Sequence, residues 1–440
     1  MFTPRTSMSN STQGTFDFQA FLQSDELAEW RDFTKITDII FSVTGSVSFI
    51  GSSAIIWHIL RSHQGLSSTY HRLVFGMCVG DLISSFAIAI NSIAAPKELQ
   101  YLMPFARGNM GTCSTQGFFL SASIAMTYFY NCSICFYYLS IITFNKKDEY
   151  IKRNLELWFH GVPVIFAIVT GITGLIMKQF NTNGEGQCYW YPTSYHPPHC
   201  RGVENGIITK GFTIPCGRGD TESGNLFRLI MNLLPLTIVP AIIVGTMVTM
   251  YITVRKIERK MLTYGVNALR LRASQQQVRV VDGIASVNAP GGRDYHTSLS
   301  ICLYTLKSKL AAGICSTCLV WNHPSPRSNS ARSQKRAVLY MAMSYYSLTW
   351  ALTWIPFFIL FFAVRNKATN VLQAILQPLQ GFYNLIVYMS PKVRNARNKK
   401  RGILPWRQAI AKAWMSKGEM GRAISKRRHT KTASMVRQRL

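Results

Sequence analysis

The sequence predicts an all-α membrane protein, a bundle of seven transmembrane helices with the amino terminus outside and the carboxyl terminus inside. Three observations predict it. The 440 residues are 48% hydrophobic yet carry a formal net charge of +29, a pairing that a soluble globule rarely holds, so apolar and basic residues must be segregated. Seven apolar stretches, 36–60, 73–95, 116–144, 157–177, 226–254, 337–364 and 369–390, each reach the roughly 20 residues needed to cross hydrocarbon. Basic residues crowd particular span ends: Arg255, Lys256, Arg259 and Lys260 after the fifth, Arg332, Lys335 and Arg336 before the sixth, and Lys392, Arg394, Arg397, Lys399, Lys400 and Arg401 after the seventh. Retention of such charge on the cytoplasmic side gives the orientation.

Residues 1–35 then form an extracellular segment with an acidic run, Asp25, Glu26, Glu29 and Asp32, and a glycosylation acceptor, Asn10, in Asn10-Ser11-Thr12. The first residues are polar and the first apolar stretch is a full span, so it is expected to serve as an uncleaved targeting signal. Spans one to five occupy residues 36–254. In the first, Gly45, Ser48, Gly51, Ser52 and Ser53 permit close approach of a neighbouring backbone. Asp38, one turn into that span, is expected to be solvated at the headgroup boundary.

Asp81, in Gly76-Met-Cys-Val-Gly80-Asp81-Leu82, is the sharpest single residue of the second span. An ionised carboxylate at mid-bilayer costs on the order of 2.5–3.5 kcal/mol, so something must compensate it. The candidates are Asn384, Tyr388 or a bound cation, and the alternative is a protonated, purely structural acid. The seventh span carries Gln377, Gln380 and Asn384, which have no use on a lipid-facing surface and so point into the bundle. Pro378 deletes one backbone hydrogen bond beside them, and prolines 163, 235, 240 and 356 place similar breaks in the fourth, fifth and sixth spans. Trp354-Ile355-Pro356 joins a bulky ring to a loosened helix.

Cys113, Cys188, Cys200 and Cys216 lie in outer segments, where oxidation is allowed. Four cysteines permit three connectivities; the expected one is Cys113 to Cys188 and Cys200 to Cys216. Cys78, Cys132 and Cys135, inside spans, are expected to pack as small apolar residues. The second outer loop, 178–225, holds aromatic and basic groups at the mouth of the bundle. These and Arg228, Arg365 and Lys367 either attract an anionic ligand or snorkel to lipid phosphates. His196-Pro-Pro-His199 reads as a solvated loop, and neither a metal nor another cofactor is expected.

The third inner segment, 255–336, is long and without pattern, and is expected to be largely disordered. Within it, 298–321 is moderately apolar, but Lys307, Lys309 and the parity of crossings oppose an eighth span. After the sixth and seventh spans, within 337–391, the tail 392–440 bears sixteen Lys or Arg against one acid, Glu419, which favours anionic inner-leaflet lipid. Trp406, Ile410, Ala413 and Trp414 fall on one helical face that should lie in the interface, a calmodulin-like or arrestin-like partner being the alternative. Thr430 and Ser434, beside Lys426-Arg427-Arg428, are candidate phosphorylation sites.

Four motifs in order carry a resemblance: Cys113-Ser-Thr-Gln116-Gly117-Phe118, Phe159-His160-Gly161-Val162-Pro163, Gln187-Cys188-Tyr189-Trp190 and Pro378-Leu379-Gln380-Gly381-Phe382-Tyr383-Asn384-Leu385-Ile386-Val387-Tyr388. Together they resemble the cyclic AMP receptor-like family of G-protein-coupled receptors, typified by slime-mould chemoattractant and fungal nutrient receptors. The resemblance implies a seven-helix receptor that senses a small extracellular ligand and engages a heterotrimeric G protein on its cytoplasmic face; fold analogy names no ligand. It also implies that Asp81 faces the seventh helix. Asp81, Gln116, Trp354, Pro356, Gln380, Asn384 and Tyr388 form the candidate polar core and switch. The third span ends Leu139-Ser140-Ile-Ile-Thr143-Phe144-Asn145, without the Asp-Arg-Tyr triplet of rhodopsin-like receptors, so that class's ionic lock does not carry over. A retinal protein needs a Lys in the seventh span, which has none, and a seven-span zinc hydrolase needs clustered ligands, so no enzyme is expected. A transporter is the remaining rival, opposed by the lack of an internal repeat. No nucleic-acid partner is expected.

Overall fold

A computed structural model of the chain describes residues 18–182, 186–190, 198–200, 203–204, 207–219, 221–233, 235, 237–257, 259, 263, 367–398 and 405–415. The sixth span with Trp354 and Pro356, most of the segment 255–336, Arg365, Asn10, Thr430 and Ser434 lie outside the described residues. All packing reported below belongs to the compact unit formed by Met1–Tyr251 with Val338–Leu440.

A short helix α1 (Phe18–Leu22) precedes α2 (Asp25–Arg61), whose start is fixed by Ser24: its hydroxyl accepts from the Leu27 N–H at 3.3 Å, and Asp25 and Glu26 in the first turn suit the positive end of the helix. The acidic run expected in a non-spanning segment is thus the first three turns of the first long helix. Next come α3 (Thr69–Ile90), a 3-10 turn (Asn91–Ala94) and α4 (Met110–Ile142), which Asn109 and Thr112 begin with a reciprocal capping box. That box starts the third helix six residues above the apolar stretch predicted from the sequence. Helices α5 (Asp148–Asn154) and α6 (Glu156–Ile176) follow, then the two-stranded antiparallel hairpin of β1 (Phe180–Thr182) and β2 (Cys188–Trp190), with Asn181 opposite Tyr189.

The fifth span is not one regular helix. Helix α7 (Glu222–Arg228) runs into a π turn (Leu229–Leu233) before α8 (Thr237–Ile257). Pro235 lacks an N–H and crowds the carbonyl four residues back, inside that π turn, which is where such irregularity relieves the clash. The seventh span is broken as well, into α9 (Lys367–Leu376) and α10 (Gln380–Asn398), with Pro378 in the gap. Helix α11 (Trp406–Met415) ends the described chain.

Five of these helices are long and apolar enough to cross a membrane: Asp25–Arg61, Thr69–Ala94 (α3 with its 3-10 turn), Met110–Ile142, Glu156–Ile176 and Thr237–Ile257. Their burial pattern runs opposite to that of a soluble helix. On α2, Ile36, Ile39, Val43, Val47 and Ile50 face outward while Thr37, Ser48 and Ser52 are buried. On α6, Leu157, Ile165, Ile168, Ile172 and Ile176 face outward while Thr170, Gly171 and Gly174 are buried. Large aliphatic residues outside and small or hydroxyl residues inside is the arrangement hydrocarbon favours, because lipid does not drive Leu and Ile inward and close helix approach does the packing. The chain is a multi-span helical membrane protein.

Candidate functional site

The gap in the seventh span is built jointly by that span and α2. Without an N–H at Pro378, the carbonyl of Ala374 loses its helical donor, and the Thr44 hydroxyl on α2 reaches it at 3.1 Å while also lying 2.7 Å from the Ile40 carbonyl. Where the helix resumes, the Gly381 N–H donates instead to Ser48 Oγ at 2.9 Å. Ser48 accepts a second bond from Ser85 of α3, also at 2.9 Å, so one buried hydroxyl ties the first, second and seventh spans. Gly51 and Gly381 make this possible: a Cβ on Gly51 would stand 2.9 Å from the Gly381 carbonyl oxygen and the Phe382 Cα.

One helical turn further, the polar core assembles around Asp81. Asn384 Nδ2 donates to Asp81 Oδ2 at 2.7 Å, and Thr127 of α4 donates to Oδ1 at 3.0 Å. Asp81 and Asn384 are each 2% exposed, so these bonds do the work water does elsewhere. Of the side chains the sequence offered as partners, Asn384 meets the carboxylate; Tyr388, also buried, leaves its hydroxyl without a partner among the described residues, under the Lys392 ammonium at 3.8 Å from the ring. Gln377 accepts from Gln373 Nε2 at 2.7 Å, and Gln380 is half-buried.

Gln116 lies elsewhere, near the disulfide end of α4. Its Nε2 donates to the carbonyls of Ala87 and Asn91, both at 2.8 Å, and its Oε1 accepts from the Cys188 N–H at 3.1 Å. One side chain therefore fixes the end of α3 and the start of β2 to α4, beside the Cys113–Cys188 disulfide. Replacing Gln116 by Leu keeps the volume and removes all three bonds; the variant is expected to lose about 2 kcal/mol or more, read as a lowered thermal midpoint in detergent.

Asp38 corrects its sequence reading. It is 2% exposed rather than solvated, with one carboxylate oxygen accepting from Asn91 Nδ2 and the other from Ser92 Oγ, both at 2.5 Å. Asn91 takes φ +35, which ends α3 and turns the 3-10 segment toward α2. Gly186, at φ +106, lies against the same carboxylate, where any Cβ would collide. The hydroxyl and amide that satisfy Asp38 lie more than fifty residues on, which single-span reasoning could not reach.

The second outer loop is held down as a plug. Cys200 pairs with Cys216, Arg218 donates to the Phe180 carbonyl and Asn181 Oδ1 at 2.8 and 2.9 Å, and Tyr189 packs into the cluster of Phe41, Ala87, Ile88, Leu120 and Ala374. Burial pushes the Arg218 pKa down from its ordinary value. Lys367, expected to snorkel or to draw an anion, instead pairs with Glu29 of α2, an exposed contact of small worth.

His199 is buried rather than solvated, stacked on Phe212 with ring centres 3.7 Å apart and bonded through Nδ1 to the Tyr101 hydroxyl at 2.9 Å. It lies with Cys200 and Cys216, but sulfurs joined in a disulfide are not thiolate ligands. Burial lowers its pKa from 6.5 to about 4. The folded loop therefore refuses a proton that the unfolded loop accepts, so the stabilisation is full above about pH 6.5 and is lost as pH falls through about 4. Hydrogen-exchange protection across 207–219 is expected to drop over that window and to stay flat in His199→Phe.

At the basic end, Arg72 of α3 forms a two-pronged ion pair with Glu156 of α6; Glu156 lies 3.7 Å from His160, whose Nδ1 meets the Tyr130 hydroxyl at 3.0 Å. This chain of contacts ties the second, third and fourth spans. Helix α11 packs Ala409 and Ala413 inward and turns Trp406, Ile410 and Trp414 outward. The predicted single face is thus divided: Ala413, grouped with the large residues in the sequence reading, is the close-packing residue, since its short side chain lets the helix approach.

No family model and no curated protein matches the chain. Among solved structures, the chain is similar to squid rhodopsin, with 13% identity over 88% of this chain and 85% of that chain and a TM-score of 0.41.

Proposed function

We propose that this protein is a plasma-membrane G-protein-coupled receptor of the cyclic AMP receptor-like kind, which senses a small extracellular ligand and passes the signal to a heterotrimeric G protein at the basic end, without enzymatic activity. The observation that carries the reading is the Asp81–Asn384 bond beside the broken seventh span. A buried acid hydrogen-bonded to two neighbouring helices, next to a helix break, supports a core with alternative arrangements, which a receptor requires and a passive scaffold does not. The motif order in the third, fourth and seventh spans and the basic tail support the family and the orientation. The plugged disulfide end supports ligand entry around the second outer loop.

The role proposed for Asp81, Asn384 and Thr127 is that of the switch. The test is nucleotide exchange on co-reconstituted heterotrimeric G proteins, with nucleotides, amino acids and sugars screened as ligands. One ligand class is expected to accelerate exchange. Uptake of a labelled compound into proteoliposomes, with exchange unmoved across the Gα classes, would overturn the receptor reading in favour of a transporter.

A further inference from the structure

At the basic end, α2 and α10 pack in one cluster through Ile55, Ile59, Val387 and Val393, which sets His58 on the segment of α2 that faces the Tyr388–Lys392 turn of α10. Lys392 lies over the Tyr388 ring at 3.8 Å and within electrostatic reach of His58 and His71. No carboxylate of a described residue pairs with it. His58 is 8% exposed and Tyr388 6%, and His58 Nε2 and the Tyr388 hydroxyl both lack partners among the described residues. Buried donors left without an acceptor cost free energy that a bound anion would recover.

The rim identifies the anion's source. His58 sits edge-on to Trp414 with ring centres 4.8 Å apart, and Trp57, Leu60, Trp406, Ile410 and Met415 all face outward around it. Tryptophans collect at the headgroup level of a bilayer. Two further cations lie on that rim, Arg61 over Trp57 at 4.9 Å and Arg397 over Trp406 at 4.5 Å. Several positive charges beside an apolar, tryptophan-bearing surface suit a lipid headgroup with a phosphomonoester, of charge about −1.5 to −2, better than a singly charged diester.

We infer that Lys392, His58 and Tyr388 form a binding site for the phosphomonoester headgroup of an inner-leaflet lipid, positioned by α11. The inference rests on the orientation given under the proposed function, but its test needs neither ligand nor G protein, so the two fail separately.

The full chain is placed in phosphatidylcholine nanodiscs carrying phosphatidylinositol 4,5-bisphosphate or a charge-matched amount of phosphatidylserine, and retained lipid is counted by native mass spectrometry. The bisphosphate lipid is expected to be retained preferentially, Lys392→Gln to lose about tenfold in affinity, and Lys392→Arg to recover most of it. Should Lys392→Gln not fold, Tyr388→Phe carries the same test through the loss of one hydroxyl. Equal retention of phosphatidylserine, or undiminished retention by both variants, overturns the site. Soluble inositol phosphate or inorganic phosphate binding as tightly as the lipid overturns the lipid as occupant.

Discussion

Gly51→Leu is expected to abolish the folded bundle. A Cβ at this position meets backbone, the Gly381 oxygen and Phe382 Cα at 2.9 Å, and backbone cannot rotate aside as a side chain does. The first and seventh spans must therefore separate, and separation breaks the Gly381–Ser48 hydrogen bond and withdraws Thr44 from the Ala374 carbonyl. Overpacking alone costs about 1–3 kcal/mol, and each buried backbone group left unpaired adds about 1–3 more. The sum is a large part of the total stability of a typical domain. Gly51→Ala, whose methyl is that same Cβ, already forces the two backbones apart and should lose stability too, though less than the Leu variant. Monomer recovery on size exclusion after a temperature ramp reads the effect. A Leu variant as heat-resistant as the parent would show that the two helices do not meet at Gly51.

Much of this contact was legible beforehand. Small residues spaced along the first span announce close approach, and Pro378 among amides announces a break, since both follow from local rules about backbone and hydrocarbon. What the sequence could not announce is that the two features belong together, with Ser48 and Thr44 repairing the backbone that Pro378 disrupts. Span-by-span reading also placed Asp38 wrongly. It treated depth in the bilayer as the only source of solvation, whereas the turn after α3 folds Asn91 and Ser92 onto the carboxylate. The Arg72–Glu156 pair was missed because 84 residues separate its members and neither lies in an unusual local pattern. Helix starts moved outward from the apolar stretches where Ser24 and Asn109 cap them, because hydropathy marks the membrane and caps mark the helix.

Asp81→Ala tests the core where stability and function part company. The substitution frees the bilayer interior of a carboxylate, a relief on the order of 2.5–3.5 kcal/mol on insertion scales, and forfeits two hydrogen bonds to a charged or polar acid at about 1.5–3 kcal/mol each. These contributions are opposed and of similar size, so surface expression and thermal midpoint are expected to stay near those of the parent. The mechanical consequence has no such offset. Without the carboxylate, nothing described links Asn384 of α10 to Thr127 of α4, and the helix beyond the Pro378 break loses its direct side-chain bond to the second span and, through it, its link to the third. A switch whose states differ through that tie should lose coupling of about 1–3 kcal/mol, a shift of roughly 5- to 150-fold in ligand potency. Asp81→Asn, which keeps an acceptor for one donor, should lie between. Ligand-stimulated nucleotide exchange at matched surface expression decides the matter: an alanine variant with the parent's potency and amplitude would leave Asp81 a buried structural acid and remove the switch from the proposed receptor.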